Sequence, residues 1–214
     1  VIPAPCYVDY SRAAEMGGLK VDFFPMTEDQ GFTLNCELLQ STVRSGDLVI
    51  VGVPNNPTGM CPDVDGIRKL AADTPEAFFL LDEAFADFVP GLGTGFDPDL
   101  DNLAVVRSMT KFYAIPGLRL GFGLFPDAVA SLVRDQVPSW SVNVLAQAVG
   151  LDALGQHDYA DRTRTLVTAE REELQRCLEQ VPGLRIFPGQ ANYLFGKVES
   201  PGMSARTLAD ELLK

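Results

Sequence analysis

The sequence predicts an α/β fold: a three-layer αβα domain around a mostly parallel sheet, followed by the start of a small α+β domain. Three observations predict it. Short continuous apolar runs, such as 47–53 (DLVIVGV) and 77–81 (AFFLL), read as strands buried on both faces. Helical stretches separate these runs, which is the order of βαβ units. After Pro126 the pattern turns helical, and short strands return beyond Pro182-Gly183. With 214 residues, 46% of them hydrophobic, the chain can bury one large core.

The elements follow in order. Residues 19–24 read as a short strand, and 34–44 as a helix ended by Gly46. The strand at 47–53 stops at the turn Pro54-Asn55-Asn56-Pro57-Thr58-Gly59. A helix with an acidic first turn covers 63–72, and the strand at 77–81 ends in Asp82-Glu83. Residues 103–107 and 118–124 read as two more strands, and 127–136 and 142–154 as helices. The charged stretch 159–180 carries apolar residues near helical spacing and is long enough to link two domains. Segments 184–187 and 191–198 read as strands, and 204–214 begins a helix. The expected organisation is a large domain over 1–156, a linking helix over 157–181 and the start of a smaller domain over 182–214. The chain begins at Val1 and stops in what reads as mid-helix, so it is expected to be an internal piece of a longer protein.

Net charge is −12, with 29 acidic against 17 basic residues, a surface that repels nucleic acid and anionic membrane. No apolar run reaches the length of a membrane span and no signal peptide is visible, so a cytoplasmic protein is expected. Cys6, Cys36, Cys61 and Cys177 lack metal-binding spacing and are expected to be reduced, structural thiols. The only histidine, His157, reads as a solvated residue at a helix start, which argues against a zinc site or a Ser-His-Asp triad in this chain.

In open α/β sheets ligands gather at the C-terminal ends of strands. Three sequences fall there: Asn55-Asn56-Pro57-Thr58-Gly59, Asp82-Glu83-Ala84-Phe85, and Ser108-Met109-Thr110-Lys111 followed by Pro116-Gly117-Leu118-Arg119. Each alone has a plain structural explanation, as a turn, a helix cap or a solvated lysine. Together they bring an amide, a carboxylate, a hydroxyl, a lysine and an arginine to one rim. That set suits an aromatic phosphorylated aldehyde. The lysine amine condenses with the aldehyde, and the carboxylate keeps the ring nitrogen protonated. The amide bonds the phenolic oxygen, while hydroxyl and guanidinium hold the phosphate.

In these motifs, N-P-T-G, then D-E-A-F, then S-x-T-K with P-G-L-R-L-G, the chain resembles the fold-type I pyridoxal-phosphate enzymes related to aspartate aminotransferase, from Val1 to Lys214. The resemblance implies pyridoxal 5'-phosphate as cofactor and no metal. It implies that Asn56 bonds the phenolic oxygen, Asp82 meets the pyridinium nitrogen, and Lys111 is the lysine joined to the cofactor. Ser108 and Arg119 would bind the phosphate, and Tyr7 would stack on the ring. Asn56 and Asn192 are candidates to touch the substrate; Asn192 reads equally as a capped turn at a strand edge. Trp140 is expected to pack near the cleft. The family's glycine-rich phosphate cup and C-terminal carboxylate-binding arginine would lie before Val1 and after Lys214. Homodimers are the family's habit, so a homodimer is expected of the whole protein.

The departure is Phe85, where most relatives carry a tyrosine whose hydroxyl also reaches the phenolic oxygen. Residues 82–90, 108–121, 140–143 and 188–194 are similar to the family's decarboxylases of L-threonine O-3-phosphate, which make the aminopropanol phosphate arm of cobalamin. The implied activity is decarboxylation of that phosphorylated amino acid. The alternatives are an aminotransferase for a phosphorylated amine such as histidinol phosphate, or a non-catalytic sensor domain that binds the same cofactor.

Overall fold

The computed structural model describes residues 1–214. The chain opens with β1 (Ile2–Ala4) and α1 (Val8–Met16), and β2 (Phe23–Pro25) returns parallel to β1, setting Ile2 beside Phe23. The short α2 (Cys36–Gln40), capped by the Asn35 side chain on Leu38 N, leads into the central sheet. There β3 (Leu48–Gly52) is followed by α3 (Val64–Asp73), β4 (Phe78–Asp82), β5 (Leu103–Ser108), α4 (Met109–Phe112) and β6 (Gly121–Leu124). The four strands lie in the order β3-β4-β5-β6. The first three run parallel, and β6 is antiparallel to β5 with Phe122 opposite Arg107.

Burial explains the order. Val49, Val51, Phe79, Leu81, Leu103 and Val105 are all buried in the main core. Against them α3 lays Ile67, Leu70 and Ala71, a stripe at helical spacing. Each such leucine or phenylalanine stabilises the fold by about 1.5–3 kcal/mol when fully buried. The buried Asn102 amide donates to Ala71 O and Ala77 O, both at 2.9 Å, tying the end of α3 to the start of β4.

Helices dominate next: α5 (Asp127–Gln136), α6 (Val144–Leu154) and the long α7 (His157–Leu178). A separate antiparallel pair, β7 (Leu184–Phe187) and β8 (Phe195–Val198), precedes α8 (Ala205–Leu212), whose first turn is capped by Ser204 on Thr207 N. No helix is long and apolar enough to cross a membrane.

Several boundaries differ from expectation for local reasons. The helix expected over 34–44 ends at Gln40, where the Ser41 and Thr42 hydroxyls donate to Leu38 O and Leu39 O and turn the chain out. The strand expected over 118–124 starts only at Gly121, because Arg119 takes a left-handed backbone, φ 54°, after a 3-10 turn at Pro116–Leu118. The strand at 191–198 shrinks to Phe195–Val198, and that at 19–24 to Phe23–Pro25. Trp140 does not pack near the cleft: it is 97% exposed. His157 is exposed at the first residue of α7, as expected.

Candidate functional site

Beyond the C-terminal ends of β3, β4 and β5 lies a cavity of about 150 Å³, lined by Tyr7, Tyr10, Pro54, Asn56, Asp82, Ala84, Phe85 and Lys111. The turn after β3 is held from within. The buried Asn55 side chain donates to Pro5 O at 3.0 Å and to Thr58 Oγ1 at 2.9 Å. The first bond ties the start of α1 to this turn, and the network leaves Asn56 free to face the cavity. Gly59 is at φ 71°, and its carbonyl accepts from Gln190 N at 2.7 Å. A Cβ on Gly59 would stand 3.2 Å from Gly189 Cα, so the two glycines let the backbones meet. That seam seats Tyr193, whose hydroxyl donates to Asn55 O at 2.9 Å and whose ring meets Phe85 edge-on at 5.0 Å.

Asp82 closes β4. Its Oδ1 accepts from Ala84 N at 3.0 Å and its Oδ2 from the Tyr10 hydroxyl at 2.7 Å. Burial first, and then the Asp82 charge, push the Tyr10 phenol far above its ordinary range, so it stays a donor. Behind Asp82, Glu83 is 1% exposed. It accepts from Arg107 Nε at 2.7 Å, from Thr94 Oγ1 at 3.3 Å and from Gly95 N. Arg107 also reaches Asp87 at 3.3 Å. This buried pair fixes the end of β4 against β5.

Lys111 sits on α4 with an exposed side chain, its Nζ 5.5 Å from the centre of the Phe85 ring. Ser108 caps α4 and shares a 2.8 Å hydrogen bond with Thr110 Oγ1. Arg119 is exposed and donates to Pro116 O at 3.1 Å. Neither Ser108 nor Arg119 lines the cavity, though both flank the segment that bears Lys111. The structure thus gathers Tyr7, Asn56, Asp82, Phe85 and Lys111 in one place. Asn192 is not among them; it lies in a groove beside α7 with Leu166, Val167 and Arg171. Tyr10 went unnoticed in the sequence, where the only available signal was a second aromatic three residues after Tyr7, one helical turn on.

The donor set fits pyridoxal phosphate: an amine for its aldehyde, a carboxylate for its ring nitrogen, an amide for its phenolic oxygen and aromatic walls for its faces. Fold and site therefore define a class, the fold-type I pyridoxal-phosphate enzymes, and pyridoxal 5'-phosphate is the cofactor. Within it, the chain belongs to the aminotransferase class I and II family, which it matches over residues 1–214. It is 37% identical to the threonine-phosphate decarboxylase of Salmonella typhimurium over 206 residues, covering 93% of this chain and 56% of that protein. It is 27% identical to a histidinol-phosphate aminotransferase of Methanococcus maripaludis, covering 100% of this chain and 58% of that protein. Among solved structures, the histidinol-phosphate aminotransferase from Clostridium acetobutylicum superposes with a TM-score of 0.91 at 27% identity, over 99% of this chain and 64% of that one. The chain thus spans a little over half the length of the curated relatives it matches.

Proposed function

We propose that the protein decarboxylates L-threonine O-3-phosphate to (R)-1-aminopropan-2-yl phosphate, a reaction of cobalamin biosynthesis. The observation that carries the proposal is Phe85 in the cavity wall, where the family's histidinol-phosphate aminotransferases have tyrosine. The identity to the Salmonella decarboxylase, 37% against 27% to the Methanococcus aminotransferase, supports the same reading.

When bound, pyridoxal phosphate supplies a conjugated ring that withdraws electrons from the substrate's Cα. The chain's own residues do the rest. Asp82 would hold the proton on the ring nitrogen, Asn56 would bond the phenolic oxygen, Tyr7 would cover one face, and Ser108 and Arg119, which flank the segment bearing Lys111, would hold the phosphate. Orientation selects the bond that breaks, and here it is the bond from Cα to the carboxylate, which leaves as carbon dioxide. The Lys111 ammonium gives Cα the replacing proton and recovers its own from water. The whole protein is proposed to work as a homodimer, with 157–181 linking a large domain to the smaller one that follows.

A second reading, an aminotransferase for a phosphorylated amine, is favoured by the close superposition on the Clostridium enzyme. The test separates them. The full-length protein, supplied with pyridoxal phosphate and L-threonine O-3-phosphate, is expected to release carbon dioxide with no keto acid present. Strict dependence on 2-oxoglutarate, with glutamate formed, would overturn the proposal in favour of transamination.

A further inference from the structure

We infer that Tyr10 is the positioning residue for Asp82, holding its carboxylate aimed so that α1 sets how tightly the cofactor is gripped. The inference rests on the reading that Asp82 meets the cofactor's ring nitrogen.

Three independent features point to it. The first is the bond itself, 2.7 Å from the Tyr10 hydroxyl to Asp82 Oδ2, joining residues 72 positions apart. With Ala84 N on Oδ1, it fixes both carboxylate oxygens, so the side chain cannot swing. Each oxygen keeps a further lone pair for a ring nitrogen. Donors on both oxygens thus settle which way the remaining lone pairs face.

The second is the space made for the hydroxyl. Gly52 is the register partner of Asp82 on β3. A Cβ there would stand 3.3 Å from the Tyr10 oxygen and 3.1 Å from Asn55 Cα, tighter than side chains ordinarily pack. Glycine at the last residue of β3 therefore keeps open the route by which Tyr10 reaches Asp82.

The third is how α1 is anchored. Asn55 grips Pro5 O just before the helix, and the Tyr7 and Tyr10 rings meet edge-on at 5.7 Å. One helical turn thus supplies both an aromatic wall of the cavity and the donor to its carboxylate, so ring and carboxylate are set relative to each other by a single rigid piece. A phenol suits this position because it brings one donor with no competing charge. Lysine or arginine would pair with Asp82 and draw it away from the ring nitrogen.

The test is a double-mutant cycle on the full-length protein, read as the dissociation constant of pyridoxal phosphate by absorbance, with circular dichroism confirming the fold. Removing a hydrogen bond to a charged group should cost about ten-fold or more in affinity, so Tyr10→Phe is expected to bind the cofactor at least that much more weakly. In an Asp82→Ala background the same change is expected to have little further effect. Unaltered affinity in Tyr10→Phe overturns the inference, as does an equal loss in the Asp82→Ala background, which would mark Tyr10 as packing only. Should Asp82→Ala itself bind cofactor normally, the assignment of Asp82 falls, and the inference with it. If Tyr10→Phe does not fold, 3-fluorotyrosine at position 10 keeps the shape and makes the phenol a stronger donor. Tighter cofactor binding then supports the inference, and unchanged or weaker binding overturns it.

Discussion

Lys111 and Phe85 face each other in the cavity, with the lysine Nζ 5.5 Å from the centre of the phenylalanine ring. At that distance the ring's quadrupole attracts the ammonium, yet the ring offers no hydrogen-bond donor. A tyrosine in its place would do both.

Restoring that hydroxyl is therefore informative. In Phe85→Tyr a donor would reach the cofactor's phenolic oxygen and favour its ionised form. The pH midpoint of the bound cofactor's visible absorbance is expected to fall. Spectrophotometric titration of wild type and variant gives the answer; coincident curves would mean that the hydroxyl points elsewhere.

Replacing the amine is the harsher change. Lys111→Ala is expected to lose the absorbance band near about 420 nm that marks cofactor joined to lysine. Carbon dioxide release should drop by about a hundred-fold or more, the low end of what a positioned proton donor contributes. Retention of the band would show that another lysine holds the cofactor.

Arg107 concerns stability. It is the only side-chain cation on Glu83, whose side chain is fully buried. Arg107→Ala leaves that carboxylate uncompensated and is expected to destabilise the fold by about 3–5 kcal/mol in urea or guanidinium unfolding. An exposed pair such as Lys214 with Glu211 should matter by less than about 1 kcal/mol when broken. Similar losses for the two would contradict the burial argument.

Glu28 governs a pH effect. The hydrogen bond from Lys197, with Arg185 also beside it, holds its carboxyl below the usual range. A depressed acid contributes its stability above the ordinary carboxylate pKa and loses it as pH falls through the folded value. Acidification is thus expected to loosen β7 and β8 from the turn at Glu28–Gln30, visible as lower amide protection factors relative to the intrinsic exchange rate at each pH. Glu28→Gln should show the looser state already at neutral pH, and added salt should shrink the difference because all three side chains are partly solvated.

Where a segment's own chemistry decides its structure, the sequence was easy to read. The helix expected over 127–136 forms there, and β3 and β4 form within a residue of their apolar runs, because burial on both faces permits no other pattern. Asn56, Asp82 and Lys111 stand at strand ends and meet where parallel strands deliver them. What escaped was α1. Its nine residues show only weak amphipathicity, with Ala14 alone buried, and they follow a proline-rich start that hides a helix. Tyr10 was lost with it, since its partner lies 72 residues away and nothing local announces the pair. Trp140 was misplaced for a related reason: loop residues are positioned by tertiary contacts that no periodicity encodes.

The seam between Gly59 and Gly189 has one more consequence. Because the two backbones meet without a Cβ on either side, the segment that carries Tyr193 approaches closely enough for Gln190 N to reach Gly59 O, and side chains then fasten it, with Arg171 donating to Gln190 O and Tyr193 to Asn55 O. A residue larger than glycine at either position would force the two segments apart and break those bonds together. Through the edge-on contact of Tyr193 with Phe85, the closeness of two glycine backbones thus reaches the cavity wall. The smallest side chains in the chain therefore help set the position of one of its bulkiest rings.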